Sequence, residues 1–173
     1  MLLVALVIPA ALIDFRQRRV PNWLALAGVL SGVGLNSFLY QTGGLWLSLK
    51  GIGLAMAVYF PLYLLRGMGA GDVKLMAAVG AVAGPANWLG IFVMTAVIGG
   101  VVGLVVVIVK GRLRETFENI LAIMGNLGAR KAPYRGNPQL DVRTESGIRL
   151  PHAVIIAFGT LTFLIVAARP EFW

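Results

Sequence analysis

The sequence predicts an all-α, polytopic transmembrane helical bundle. Three observations carry that prediction: 58% of the 173 residues are apolar against 13% charged, mean hydropathy is +0.85, and the apolar residues run in long unalternated stretches. Such a chain has lipid as its solvent, where backbone polar groups must be satisfied internally, so the choice lies between helices and a closed barrel. Runs without alternation select helices.

The apolar stretches extend from about Met1 to Ile13, Trp23 to Tyr40, Leu45 to Leu65, Val73 to Gly84, Trp88 to Val109 and Leu150 to Ala168. They predict six membrane helices, the first and fourth being short against the roughly 20 residues a bilayer needs. Met1 to Ile13 lacks the basic n-region of a cleaved signal peptide and runs straight into Asp14 and an arginine cluster, so a retained helix is expected. After the fifth stretch, Leu113, Phe117, Ile120, Leu121, Met124 and Leu127 recur at helical spacing and predict an interfacial amphipathic helix. The rest of the segment 110–149 holds Pro133, Gly136, Pro138 and Gly147 without a helical period, the composition of a mobile cytoplasmic loop. The chain, 1–173, reads as a single transmembrane domain. Small residues at four-residue spacing, Gly28 with Gly32, Gly80 with Gly84 and Gly99 with Gly103, predict close helix packing.

Charge sets the expected orientation. Arg16, Arg18 and Arg19 follow the first stretch, Arg66 and Lys74 flank the junction of the third and fourth, and a third basic loop follows the fifth. The alternate junctions, Gln41 to Gly44 and Gly84 to Asn87, carry no charge. Basic loops stay in the cytoplasm, which places both chain ends outside and Asp14 and Asp72 together on the cytoplasmic side. The net charge of +8 is explained by the same rule, and with no basic stripe interleaved with aromatics a nucleic-acid partner is not expected.

The chain contains no cysteine and a single histidine, His152, which excludes thiol nucleophiles and cysteine metal sites and disfavours a histidine-dependent triad or metal centre. Carboxylates remain. A carboxylate at the helix centre costs roughly 2.5–3.5 kcal/mol on insertion scales, so each one near membrane depth needs a reason. Asp141 lies in the loop; Asp14 ends the first stretch and Asp72 begins the fourth. Asp72 follows Gly67-Met68-Gly69-Ala70-Gly71, an open backbone against which a substrate strand could lie. Equally, Asp72 could serve only as a helix cap, and Asp14 only as a helix end paired with Arg16, Arg18 or Arg19.

These residues resemble a known family. Gly69-Ala70-Gly71-Asp72 is similar to the motif of the intramembrane GxGD aspartyl proteases, and its surroundings resemble the type IV prepilin peptidases. Asp14-Phe15-Arg16 with Arg19-Val20-Pro21-Asn22 resembles that family's first-aspartate block, and Leu150-Pro151-His152-Ala153-Val154 the start of its final helix. The short length resembles the form associated with tight-adherence (Flp-type) pili. The resemblance implies that Asp14 and Asp72 are the catalytic pair, that Gly69, Ala70 and Gly71 form the site backbone, and that the substrates are prepilin or pseudopilin precursors cut at the cytoplasmic face of a prokaryotic inner membrane. Their basic leader would end in glycine.

Two nearby carboxylates cannot easily both ionise, so one proton is shared: the ionised member activates a water and the protonated member donates to the scissile carbonyl, with no cofactor or metal. Pro21, expected as the first residue of the second helix, and Asn22 read as architectural, and Lys74 as a membrane-edge anchor, being two residues from Asp72 and so off its helix face. His152 stands where the family more often has tyrosine and could modulate the site's pH response. The chain also lacks the cysteine-bearing cytoplasmic domain of long prepilin peptidases, so methyltransferase activity is not expected. A proton-linked transporter or channel subunit and an inactive assembly scaffold are the competing readings, the first disfavoured because both aspartates lie at one face.

Overall fold

The computed structural model describes residues 1–65, 68–114, 116–118, Leu121, Gly125 and 151–168. Among the described residues the structure is all helical, with four principal helices: α1 (Leu2–Gln17), α2 (Asn22–Leu64), α3 (Ala70–Val109) and α4 (His152–Ala167). The expected six separate membrane helices are therefore not found. Two helices, α2 with 43 residues and α3 with 40, have the length and hydropathy to cross a membrane, while α4 is a shorter apolar helix. The separation into six fails because no loop intervenes where turns were expected: each long helix is interrupted at a single residue, Gln41 (φ 53°, ψ −132°) in α2 and Gly84 (φ 74°, ψ 172°) in α3.

Those two residues nonetheless reverse the chain. Asn36 Nδ2 lies 2.9 Å from Ser48 Oγ, and Trp88 Nε1 donates to the Met76 carbonyl at 3.0 Å, each pair being twelve residues apart. Along a straight α-helix such pairs would be separated by about 18 Å, so each long helix doubles back on itself. Glycine suits the reversal in α3 because its positive φ strains any residue with a Cβ.

The reversals release backbone groups, and the cluster around Asn36 collects them. Pro85 has no N–H to offer Ala81, four residues earlier, so that carbonyl loses its helical donor. Ser48 Oγ donates to the Ala81 oxygen at 2.7 Å and Asn36 Nδ2 donates to it at 3.0 Å, from the two arms of α2. Ser48 is fully buried and Asn36 nearly so. Polar side chains in the apolar layer thus repair what proline removed, the requirement lipid imposes on any broken helix.

The second arm of α2 packs on the first arm of α3 with backbone in contact. A Cβ on Gly51 would collide with the Gly80 carbonyl, and one on Gly80 with the Gly51 carbonyl, while one on Gly32 would meet the Ala81–Val82 peptide at 2.8 Å. The expected small-residue packing therefore holds for Gly28, Gly32, Gly80 and Gly84. It does not hold for Gly103, which has nothing within 4 Å. α4 packs against both α1 and α3, and the core runs through Leu6, Val7, Leu75, Met76, Trp88, Ile91 and Ile156.

The interfacial helix expected after Lys110 lies only partly among the described residues. Of these, 113–114, 116–118, Leu121 and Gly125 are helical, and Arg114 Nε pairs with Glu118 at 2.9 Å. The expected loop beyond it, Arg66, Gly67 and Asp141 fall outside the described residues.

Asn36→Leu should lower stability by about 1–3 kcal/mol, because the buried Ala81 carbonyl keeps only Ser48 as donor and Ser48 Oγ loses its own; SDS-titrated unfolding in micelles checks this. In the same assay Gly51→Val should destabilise strongly, whereas Gly53→Val, with open space around it, should change little.

Candidate active site

The site is assembled from helix termini. α1 continues one turn past its apolar run and ends where Arg18 turns left-handed (φ 52°, ψ 37°), its N–H bonding the Asp14 carbonyl at 2.7 Å. Asp14 thus lies in the last helical turn rather than at the end of the helix, and it is only 7% exposed. Its Oδ2 accepts the Ala153 N–H at 3.0 Å. Ala153 is in the first turn of α4, where backbone N–H groups have no partner inside the helix, and the positive end of the helix dipole favours an acidic group there. The carboxylate of the first helix caps the last.

Asp72 sits in the first turn of α3, three residues after its N-cap Gly69. Its carboxylate accepts a hydrogen bond from the Gly69 backbone N–H, the acidic half of a capping box. The capping role considered from sequence is therefore real, but Gly69 is the cap and Asp72 the residue that reaches back to it. A Cβ on Gly69 would stand 3.3 Å from Asp72 Oδ2. Gly71 does not present free backbone as expected: a Cβ there would lie 3.2 Å from Val20 Cβ, so its open face is taken by the α1–α2 linker. Ala70, the first helical residue, is exposed.

The supporting residues also have places. Pro21 is the N-cap of α2 (φ −64°, ψ 137°) and Asn22 its first residue, one position later than expected. The shift follows from Pro21's extended ψ, which lies outside the helical range. Lys74 Nζ donates to Asn22 Oδ1 at 2.9 Å, an exposed contact that joins the starts of α2 and α3. His152, half-buried, is the first residue of α4.

The end of α1 and the starts of α2, α3 and α4 thus meet at one end of the molecule. Asp14 and His152 are both close enough for their charges to act on Asp72, and Asp72 in turn acts on Tyr59 of α2. Sequence reasoning missed Tyr59, whose only signal was a phenol inside an otherwise apolar run. It also missed the Asp14–Ala153 bond, which joins residues far apart in the chain. Among the described residues no group of three or more His, Cys, Asp or Glu could hold a metal ion. A few residues deeper, α1 and α4 part to leave a cavity of about 150 Å³ with a wholly apolar lining that includes Ile8, Leu12, Ala157 and Phe158.

Among the described residues the structure is all helical, has two helices long and apolar enough to cross a membrane, and gathers two carboxylates where helix ends meet, features of the class of helical membrane proteins. Residues 1–104 match the type IV leader peptidase family, more than half the chain and including both aspartates. The chain belongs to this family: it is a membrane peptidase of the prepilin-processing kind. Comparison with curated proteins and with solved structures gave no match.

Asp14→Asn retains an acceptor for the Ala153 N–H, whereas Asp14→Leu does not. Thermal unfolding in detergent should show the asparagine variant within about 1 kcal/mol of the parent and the leucine variant about 1–3 kcal/mol less stable.

Proposed function

We propose that the chain is an aspartic endopeptidase in which Asp14 and Asp72 jointly activate water, removing the basic leader from prepilin or pseudopilin precursors at the cytoplasmic face of a prokaryotic inner membrane. The observation that carries this reading is the approach of two carboxylates from separate helices to within electrostatic reach of each other, where helix termini meet. Family membership supports the substrate class. The aspartic mechanism rests on the chain's own residues: Asp14 and Asp72 lie within electrostatic reach of each other, and the sequence has no cysteine to serve as a thiol nucleophile.

In the proposed reaction the ionised aspartate takes a proton from water as the water oxygen attacks the scissile carbonyl carbon, and the protonated aspartate donates to the carbonyl oxygen. The tetrahedral gem-diol collapses as the aspartic acid that took the water's proton delivers it to the leaving nitrogen and the C–N bond breaks, while a gem-diol hydroxyl returns its proton to the other aspartate, so that one shared proton remains on the pair. Asp14 is held against the α4 N-terminus by the Ala153 N–H and Asp72 by the Gly69 N–H, so each carboxylate is oriented by a backbone donor. Orientation established before substrate arrives is what such a pair contributes to rate.

Arg16, Arg18, Arg19 and Lys74 are all exposed around this end of the molecule, which supports its assignment to the cytoplasmic side. The doubled-back arms of α2 and α3 would then carry the chain away from that side and return it, with Gln41 and Gly84 at the far turns.

Either Asp14→Asn or Asp72→Asn should lower cleavage of a prepilin peptide by about 10³-fold or more while the protein remains folded, measured by mass spectrometry of the products. Cleavage by either variant at the parent rate would rule the aspartic mechanism out.

A further inference from the structure

Tyr59 is nearly inaccessible, at 3% exposure, and the reaction as described leaves it without a task. Its ring is held edge-on by Trp88 (centroids 6.1 Å, 76°) and by Phe92 (5.9 Å, 79°), which stack on each other at 5.5 Å and 7°. Trp88 is itself fixed by its bond to the Met76 carbonyl. The tyrosine ring is therefore held between two aromatic neighbours that are themselves stacked, which sets the direction of its hydroxyl.

The register of the helices sets its height. The second arm of α2 and the first arm of α3 are joined by a short connection and so run antiparallel, and they touch backbone to backbone at Gly51 and Gly80. From that contact toward the candidate active site, the same eight-residue step leads from Gly51 to Tyr59 and from Gly80 to Asp72. Each step covers about 12 Å of helix, so the two residues lie level. The charge of Asp72 acts on the Tyr59 phenol, as a side chain at that height requires. The Asp72 carboxylate is thus the acidic group whose charge reaches this buried phenol.

On the reading that Asp72 is one of the working pair, we infer that Tyr59 is a positioning residue: its caged hydroxyl, presented from α2 at the level of Asp72, orients that carboxylate for proton transfer. Asp72 would then be steered from its own helix start by Gly69 and from α2 by Tyr59, with Asp14 and His152 facing it from α1 and α4. Lys74, on Asp72's own helix, is turned to Asn22 and stands apart from this set.

Tyr59→Phe removes the hydroxyl and leaves the ring for Trp88 and Phe92. Steady-state cleavage of a prepilin peptide in detergent should show kcat reduced about tenfold or more, with KM and the thermal midpoint close to those of the parent, as expected when a polar group that acts on the working carboxylate in the transition state is lost. Tyr40→Phe, an exposed tyrosine on the same helix near the Gln41 reversal, should match the parent. Unchanged kcat, or a lower thermal midpoint with full activity per folded molecule, would overturn the inference and leave Tyr59 a packing residue. Should Tyr59→Phe fail to fold, Phe92→Leu loosens the cage with the hydroxyl retained; the inference then requires a fall in kcat at constant KM, and parental kcat contradicts it. Asp72→Asn, measured alongside, separates the two claims: its full activity would defeat the aspartic mechanism, whereas an inactive Asp72→Asn beside an unaffected Tyr59→Phe would defeat only the role of Tyr59.

Discussion

The hydrogen bond from the Ala153 N–H to Asp14 Oδ2 is the interaction on which the geometry of the candidate site depends. It joins the last turn of the first helix to the first turn of the last, closing the chain across everything between them. It also resolves two costs at once: a buried carboxylate gains a donor, and an unpaired N–H at a helix start gains an acceptor. The carboxylate is thereby held in position, the preorganisation that the proposed hydrolytic role of Asp14 requires.

Around this closure, breaks in the helices serve the same end. Pro85 and Gly84 interrupt α3, and Ser48 with Asn36 takes up the Ala81 carbonyl that the interruption exposes. Because the break is repaired locally, α3 can return along itself, which brings Trp88 back to Met76 and sets the aromatic cage around Tyr59 behind Asp72. The contact of Gly51 with Gly80 then fixes the height of one arm against the other. Packing deep in the apolar layer thus determines which side chains stand together at its edge.

Much of this was legible in the sequence. The helical class followed from hydropathy alone, and the two aspartates stood out because carboxylates at membrane depth are costly and few. The reversals at Gln41 and Gly84 fall at the junctions that carry no charge, although periodicity could not tell that a single residue would suffice for each. What stayed hidden depends on long-range contact. Gly71 looked open until Val20 was seen against it, and Ala153, an alanine in an apolar helix, gave no sign of donating to Asp14. The pairing of Asn36 with Ser48 over the Ala81 carbonyl gave no sequence signal, because it depends on the reversals that bring residues of both long helices together.

The central claim is that the side chains of residues 14 and 72 share one pocket, and the absence of native cysteine makes it directly measurable. With cysteines placed at both positions, a short bifunctional thiol reagent applied to the protein in native membranes should form an intramolecular cross-link, read as a single new species by intact mass after purification. A pair placed at position 14 and at position 40, near the Gln41 reversal, should form none. Efficient cross-linking of that control pair, or no cross-link between positions 14 and 72 when each cysteine alone is reactive, would contradict the account.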